Sequence, residues 1–364
     1  MLKRNTLLII SGLAVGGVLG YLFVLPILTS SSAHPDQSAE MAVWPWPDTK
    51  AEVLQPGVTH WLNKSSQDGS ILDLLEFDFT KNPKLRLELY DQDQDDSTPG
   101  DSRSRFFEKG VAQAAAQLNT DGKDTVVAAW NGLFFGYTYD LLKGRDGYHL
   151  APVILNGKVF CNVGNYRWTF GVKYDDGKPV FKTLHMPTKS VMAREFDFGS
   201  SGAQCLIKDG KALRMEPYPN PGQQLKKQPV PSTPEEAGHI PSVDFLRTSR
   251  TSLGWSKDSD KLYVLIVKEP DSETSSSKAM ARRQVDPGWL VSDLQAFWKA
   301  KGVWGAVNLD GGELTQSVFR LPGGRYQFIP AHWASAQMRL VLSADLKGAS
   351  TGGSMMYFFV REAK

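Results

Sequence analysis

Gly305-Ala306-Val307-Asn308-Leu309-Asp310-Gly311-Gly312 is a short apolar run that ends in an amide, a carboxylate and two glycines. Ahead of it, Leu290, Val291, Leu294, Phe297 and Trp298 recur at helical spacing and make one apolar stripe. Asp286-Pro287 supplies a cap and first turn, Lys299 and Lys301 suit the last turn, and Gly302 is a stop. Val303 to Leu309 therefore reads as a buried strand fed by a helix. Side chains alternate along a strand, so Asn308 and Asp310 are expected on one side of its lip. The glycines allow a sharp turn and close approach to a ligand. Read alone, the same residues also fit a tight Asp-Gly turn between two strands.

The chain has 364 residues, enough for one large domain or two small ones. A net charge of +2 leaves no nucleic-acid footprint. The 10 Trp and 11 Tyr suit sugar binding and core packing equally. Cys161 and Cys205 have no metal-ligand spacing; they read as a disulfide of an exported protein or as two buried thiols. The chain lacks Gly-x-Ser-x-Gly, His-Glu-x-x-His, Cys-x-x-Cys and Gly-x-Gly-x-x-Gly motifs, and its six histidines form no ligand pair by spacing.

Lys3 and Arg4 precede an uncharged run from Leu7 to Leu28, long enough for one membrane-crossing helix of about 20 residues. Its length favours an uncleaved anchor, although Ser31-Ser32-Ala33 offers a cleavage site. Either way, the body of the protein is expected outside the cytoplasm, in the periplasm or at the cell surface. Residues 1–33 are read as the anchor, 34–60 as a Pro- and Ser-rich stalk, and 61–364 as one domain with loop insertions near 217–241 and 268–286. The expected fold class is α+β: mixed, largely antiparallel twisted sheets with a few packed helices.

Within that domain, Ile71 to Phe79 and Leu85 to Tyr90 read as strands. The acidic cluster Asp91, Asp93, Asp95, Asp96 and Asp101 fails the EF-hand pattern, because Asp96 and Ser102 stand where Gly and Glu are required. It reads as a solvated loop or as an irregular divalent-cation site; no other cofactor is expected. Phe106 to Leu118 has helical spacing, and Thr125 to Trp130 is a buried strand closed by Asn131-Gly132. Helix, short strand, then Asn and Gly: this repeats the pattern at 303–312. Two such exits suggest one site built from two strand ends. Asn156-Gly157, Asp176-Gly177 and Asp209-Gly210 mark hairpins. Arg250, just before a strand, offers a planar fork of donors to phosphate or carboxylate, or makes an ordinary surface ion pair. Leu262 to Val267 is the strand after it, and Lys268 to Val285 is a polar, Ser-rich loop.

Three segments, Ala129-Trp130-Asn131-Gly132-Leu133-Phe134-Phe135, Arg250-Thr251-Ser252-Leu253-Gly254 and Asn308-Leu309-Asp310-Gly311-Gly312, occur in an order that resembles the phosphodiester glycosidase domain family. Gly199 to Gly210 is similar to that family's central glycine-rich element. The resemblance covers roughly residues 70–345. Leu133 replaces the family's second glycine, Glu313-Leu314 replaces the final Gly-Ser, and the Asp-Gly-Arg after Val267 is missing.

The resemblance implies cleavage of a sugar-1-phosphodiester or related glycosidic bond in an envelope or exported glycan. It makes Asp310 the nucleophile or base, Arg250 the holder of phosphate, and Glu313 the acid for an alcohol leaving group. Asn131 and Asn308 would bind sugar hydroxyls or orient Asp310. Gly132, Phe135, Thr251, Gly311 and Gly312 complete the expected substrate-binding set; no metal ligand belongs to it. The alternative is a membrane-tethered glycan-binding protein that kept the fold and lost the chemistry.

Overall fold

The computed structural model describes residues 43–46, 49–65, 69–95, 103–104, 109–120, 124–140, 144–160, 168–214, 247–270, 287–331, 339–347 and 353–363. Within these, the chain forms four sheets and three α-helices in a single domain. The expected Leu7–Leu28 anchor, the 217–241 insertion, Cys161, Asp96 and Asp101 lie outside the described residues. Among the described residues, no helix is long and apolar enough to cross a membrane.

Two sheets form the body. One has eight strands in the order Glu52–Gln55, Val58–Lys64, Ile71–Asp78, Lys261–Lys268, Arg250–Trp255, Gly305–Asn308, Gln204–Lys208 and Lys211–Ala212. The other has six: Leu340–Leu342, Tyr326–Ile329, Ser317–Arg320, Asp124–Asn131, Met356–Ala363 and Leu85–Asp91. Every pairing among the described residues is antiparallel, so the expected mixture contains no parallel pair there.

The main core lies between these sheets. Leu75, Phe77, Leu253, Val264, Ile266 and Val307 of the first meet Leu87, Trp130, Phe319, Phe358 and Val360 of the second. The outer face of the eight-stranded sheet, with Leu74, Leu265 and Ala306, is covered by the helix Val291–Lys301 through Leu294, Phe297 and Trp298. The outer face of the six-stranded sheet, with Ala129, Val318 and Phe359, is covered by the alanine-rich helix Val111–Thr120. Central strands are thus buried on both faces, which is why Lys261–Lys268 and Asp124–Asn131 read as nearly unbroken apolar runs. A five-stranded sheet adds Val153, Phe170, Val172 and Phe181 to the main core. The hairpin turns Asn156-Gly157, Asp176-Gly177 and Asp209-Gly210 all form with positive φ, as such tight turns require.

Several boundaries differ from expectation. The domain starts earlier than residue 61. Glu52–Gln55 and Val58–Lys64 are strands of the large sheet whose Leu54 and Val58 fill the inner core, and Trp46 is buried in the outer core, stacked on Phe297. The helix ahead of Gly305 starts at Val291. Its first turn is closed by the Asp293 carboxylate, which accepts the Leu290 backbone N–H at 2.9 Å; Pro287 precedes the helix, and Asp286 lies outside the described residues. Trp289 is held back by a bridge to Thr248, and that contact fixes the start. Gly302 ends the helix in the left-handed conformation, as expected.

Trp298 ties this helix to the sheet. Its indole N–H donates to Ser252 Oγ at 2.7 Å, and that hydroxyl donates to the Val307 carbonyl at 2.7 Å. Trp298→Ala is expected to lower unfolding stability by about 3–5 kcal/mol, the range for removing a buried aromatic ring. Urea denaturation followed by far-UV circular dichroism checks this; a loss below about 1 kcal/mol would contradict the packing described.

Candidate active site

The two strand exits identified in the sequence meet at the seam of the sandwich. Asp124–Asn131 belongs to the six-stranded sheet and Gly305–Asn308 to the eight-stranded one. The Asn131 side-chain N–H donates to the Asp310 carbonyl at 2.7 Å. Its side-chain oxygen accepts from Thr251 Oγ1 at 2.8 Å and from the Gln316 backbone N–H at 3.2 Å. The Asp310 N–H in turn donates to the Gly132 carbonyl at 3.1 Å, and the Leu309 N–H to the Thr251 carbonyl at 2.9 Å. The strand ends at Asn308, so side-chain alternation does not extend to Asp310; its backbone pairs with the opposite sheet instead.

Asp310 is buried, at 6% exposure, and its carboxylate accepts the Gly311 N–H at 2.8 Å. Burial pushes its pKa up to about 7, against the opposing pull of the Gly311 N–H and of the Arg250 charge. Arg250, the first residue of its strand, is buried; its Nε donates to the Trp289 carbonyl at 2.8 Å. The guanidinium and the Asp310 carboxylate are thus buried charges that offset one another.

The two glycines have separate reasons. A Cβ on Gly311 would stand 2.7 Å from the Ser249 carbonyl, so only glycine permits that approach. Gly312 has φ +63 and donates its N–H to the same carbonyl at 2.7 Å. Glu313 follows on a 3-10 turn, Gly312–Leu314, and is exposed.

Of the other expected residues, Thr251, Asn131 and Asn308 are completely buried. Asn131 contacts the Asp310 backbone carbonyl. Asn308 donates to Gln204 Oε1 across the neighbouring strand. Gly132 packs under Met356, leaving no room for a Cβ, and Phe135, half-buried, opens a strand that pairs with His149.

Glu269 is a further titratable residue here, beyond those expected from the sequence. Lys268, expected to open a loop, instead completes the strand and is buried, with its Nζ donating to the Thr315 carbonyl at 3.1 Å. Glu269 follows, half-buried, and its N–H donates to Ser249 Oγ at 3.0 Å. Burial pushes its carboxyl up to about 7; Lys268, the Ser249 backbone N–H and Arg250 oppose that, and Glu313 adds to it. The available signal was the continuity of the apolar run through Val267 into a Lys-Glu pair.

A second cluster borders these residues: His149 pairs with Phe135, and Asp91 pairs with Met356, against which Gly132 packs. Asp91, Asp93 and His149 are buried, and their ligand atoms lie within 4.8 Å of one another, a set able to hold a divalent cation. His149 Nε2 stands 3.0 Å from both Asp91 oxygens. Cys205 is a free, buried thiol, pushed up to about 12 by burial.

An antiparallel two-sheet sandwich thus gathers a buried carboxylate, an arginine and a paired-glycine turn at its seam. The sequence model of the phosphodiester glycosidase family matches residues 124–342, and the chain belongs to that family. Among curated proteins no match is found. The chain is similar to the catalytic domain of zebrafish N-acetylglucosamine-1-phosphodiester alpha-N-acetylglucosaminidase auto-inhibited by its pro-peptide. That similarity has 19% identity and a TM-score of 0.46 over 87% of each chain. It is also similar to a hypothetical protein from Synechocystis, at 12% identity and TM-score 0.42, over 87% of this chain and 64% of that one.

Asn131→Ala leaves buried groups of Thr251, Gln316 and Asp310 without their partner. It is expected to lower stability by at least about 2 kcal/mol in chemical denaturation. Asp310→Asn should act in the opposite sense. The Asp310 pKa of about 7 lies above the unfolded value of about 3.9, so the stability it contributes is full at low pH and is lost as pH rises to about 7. Asparagine escapes this loss. The melting temperature of Asp310→Asn relative to the natural protein should rise between pH 4 and pH 8; a difference independent of pH would refute the buried, tuned carboxyl.

Proposed function

We infer that the protein hydrolyses a sugar-1-phosphodiester or a related glycosidic bond in an envelope or exported glycan, working outside the cytoplasm. The observation that carries this reading is the 2.7 Å bond from Asn131 to the Asp310 carbonyl, which brings two distant strand exits together beside Arg250. Family membership supports the reaction class. The exported location rests on the basic flank and apolar run of the N-terminus.

In the proposed mechanism the anomeric carbon gains oxocarbenium character as its bond to the leaving oxygen breaks. Asp310 stands beside that carbon as nucleophile or base. A carboxylate with a pKa near the working pH is ionised often enough to act and basic enough to take a proton. Arg250 holds the phosphate, and its charge offsets the charge growing on the leaving oxygen. Asn131 keeps the Asp310 backbone in register by holding both sheets to it, and the glycines let the turn come close to Ser249. The Glu313-Leu314 ending of the third motif favours a second reading, a glycan-binding protein without turnover.

The test is Asp310→Asn in the full chain, assayed against sugar-1-phosphodiesters and envelope glycans. The expected loss in kcat/KM is at least about a thousandfold, because the variant can neither attack nor accept a proton. Undiminished turnover removes Asp310 from the mechanism; glycan binding without turnover in both proteins supports the second reading.

A further inference from the structure

Ser249, one residue before Arg250, is tied to both sides of the site. Its carbonyl accepts the Gly312 N–H at 2.7 Å, and a Cβ on Gly311 would collide with that same oxygen. Its hydroxyl accepts the Glu269 N–H at 3.0 Å, and its own N–H bonds the Glu269 carboxyl. The Asp310 carboxylate is bonded by Gly311. Glu269 and the glycine turn that follows Asp310, 41 positions apart (310 against 269), are therefore both held by Ser249, and the Arg250 charge acts on both carboxyls.

We propose that Glu269 is the general acid of this site, giving its proton to the glycosidic oxygen while Asp310 acts at the anomeric carbon. The assignment rests on the phosphodiester glycosidase reading. As the bond from the anomeric carbon breaks, its electron pair goes to the leaving oxygen, which takes the Glu269 proton. Water supplies the oxygen that ends on the carbon. The proton it gives up goes to the carboxylate pair, which finishes with the single proton it began with.

The charges favour one protonated and one ionised carboxyl. Arg250 offsets one ionised carboxylate, and ionising the second adds a buried negative charge. Glu269 faces Lys268, the Ser249 N–H and Arg250, which favour its ionised form, and Glu313, whose charge opposes it. Asp310 faces Arg250 and accepts the Gly311 N–H, both of which favour its ionised form. Both carboxyls are pushed up to about 7, which is close to the second ionisation of a phosphate monoester, about 6. A matched donor of this kind protonates a departing phosphate efficiently. Glu313, exposed on its turn, lacks the shielding from water that Glu269 has.

The test compares the full chain with its Glu269→Gln variant on two substrates of one sugar, a 1-phosphodiester and the 1-fluoride, whose departure needs little proton donation. Expected for Glu269→Gln is a loss of about 100-fold or more in kcat/KM on the diester and less than about tenfold on the fluoride. The fall in rate above about pH 7, where Glu269 gives up its proton, should also disappear. Should Glu269→Gln not fold, Glu269→Asp carries the same comparison, with the diester loss again exceeding the fluoride loss. If the natural protein is active and the variant loses both substrates alike, loses neither, or keeps its high-pH fall, the acid role is overturned alone. If that differential loss appears in Glu313→Gln instead, the acid role is likewise overturned. Inactivity of the natural protein on both substrates, or full activity of Asp310→Asn, overturns the glycosidase reading and this assignment with it.

Discussion

One side-chain amide joins the two halves of this molecule. Asn131 stands at the end of a strand in the six-stranded sheet; its acceptor reaches Thr251 of the eight-stranded sheet, and its donor reaches Asp310, just beyond that sheet's strand Gly305–Asn308. Apolar surfaces hold the sheets face to face, but apolar contact has no direction and tolerates small slides. Hydrogen bonds from a completely buried amide do not, because each slide would leave a buried polar group without its partner. The position of Asp310 follows from that constraint.

The same burial that gives precision makes charge expensive. Arg250, Asp310 and the half-buried Glu269 meet where water is largely excluded, so each ionised group needs an opposite charge or a donor. Arg250 supplies the positive charge, and the Gly311 and Ser249 N–H groups supply donors. This support is incomplete, and both carboxyls stand well above the ordinary carboxylate range. Raised carboxyls of this kind weaken a fold at neutral pH and suit proton transfer there. The clasp at Asn131 and the packing of Trp298 beneath the neighbouring strand provide stability close to that weak point.

Much of the scaffold was legible in the chain because its signals are local. Gly302 stops a helix, and Asn156-Gly157, Asp176-Gly177 and Asp209-Gly210 make tight turns, through conformations that depend on only a few residues. The apolar runs at Val126–Trp130 and Leu262–Val267 are buried strands. The misjudged boundaries all depend on distant partners. The start of the last helix is set by a bridge from Trp289 to Thr248. The strands at Glu52–Gln55 and Val58–Lys64 pass for a stalk in composition, and only their pairing in the large sheet reveals them.

The candidate site divides the same way. Asn131, Arg250, Asp310 and the two glycines stand out by residue type and by their place at strand ends, where the same residues also fit tight turns and an ion pair. Their convergence could only be suspected from the chain, since pairing between strands 120 or more positions apart leaves no periodic trace. Glu269 was invisible, because an acidic residue at the edge of a Ser-rich stretch looks like solvent-facing loop until Ser249 is seen bonding it from both sides. Sequence by itself determined which groups are available and which segments are strands, since those properties are local. Tertiary structure alone decided which groups meet and which carboxyls lose their water, since both depend on what the rest of the chain places around them.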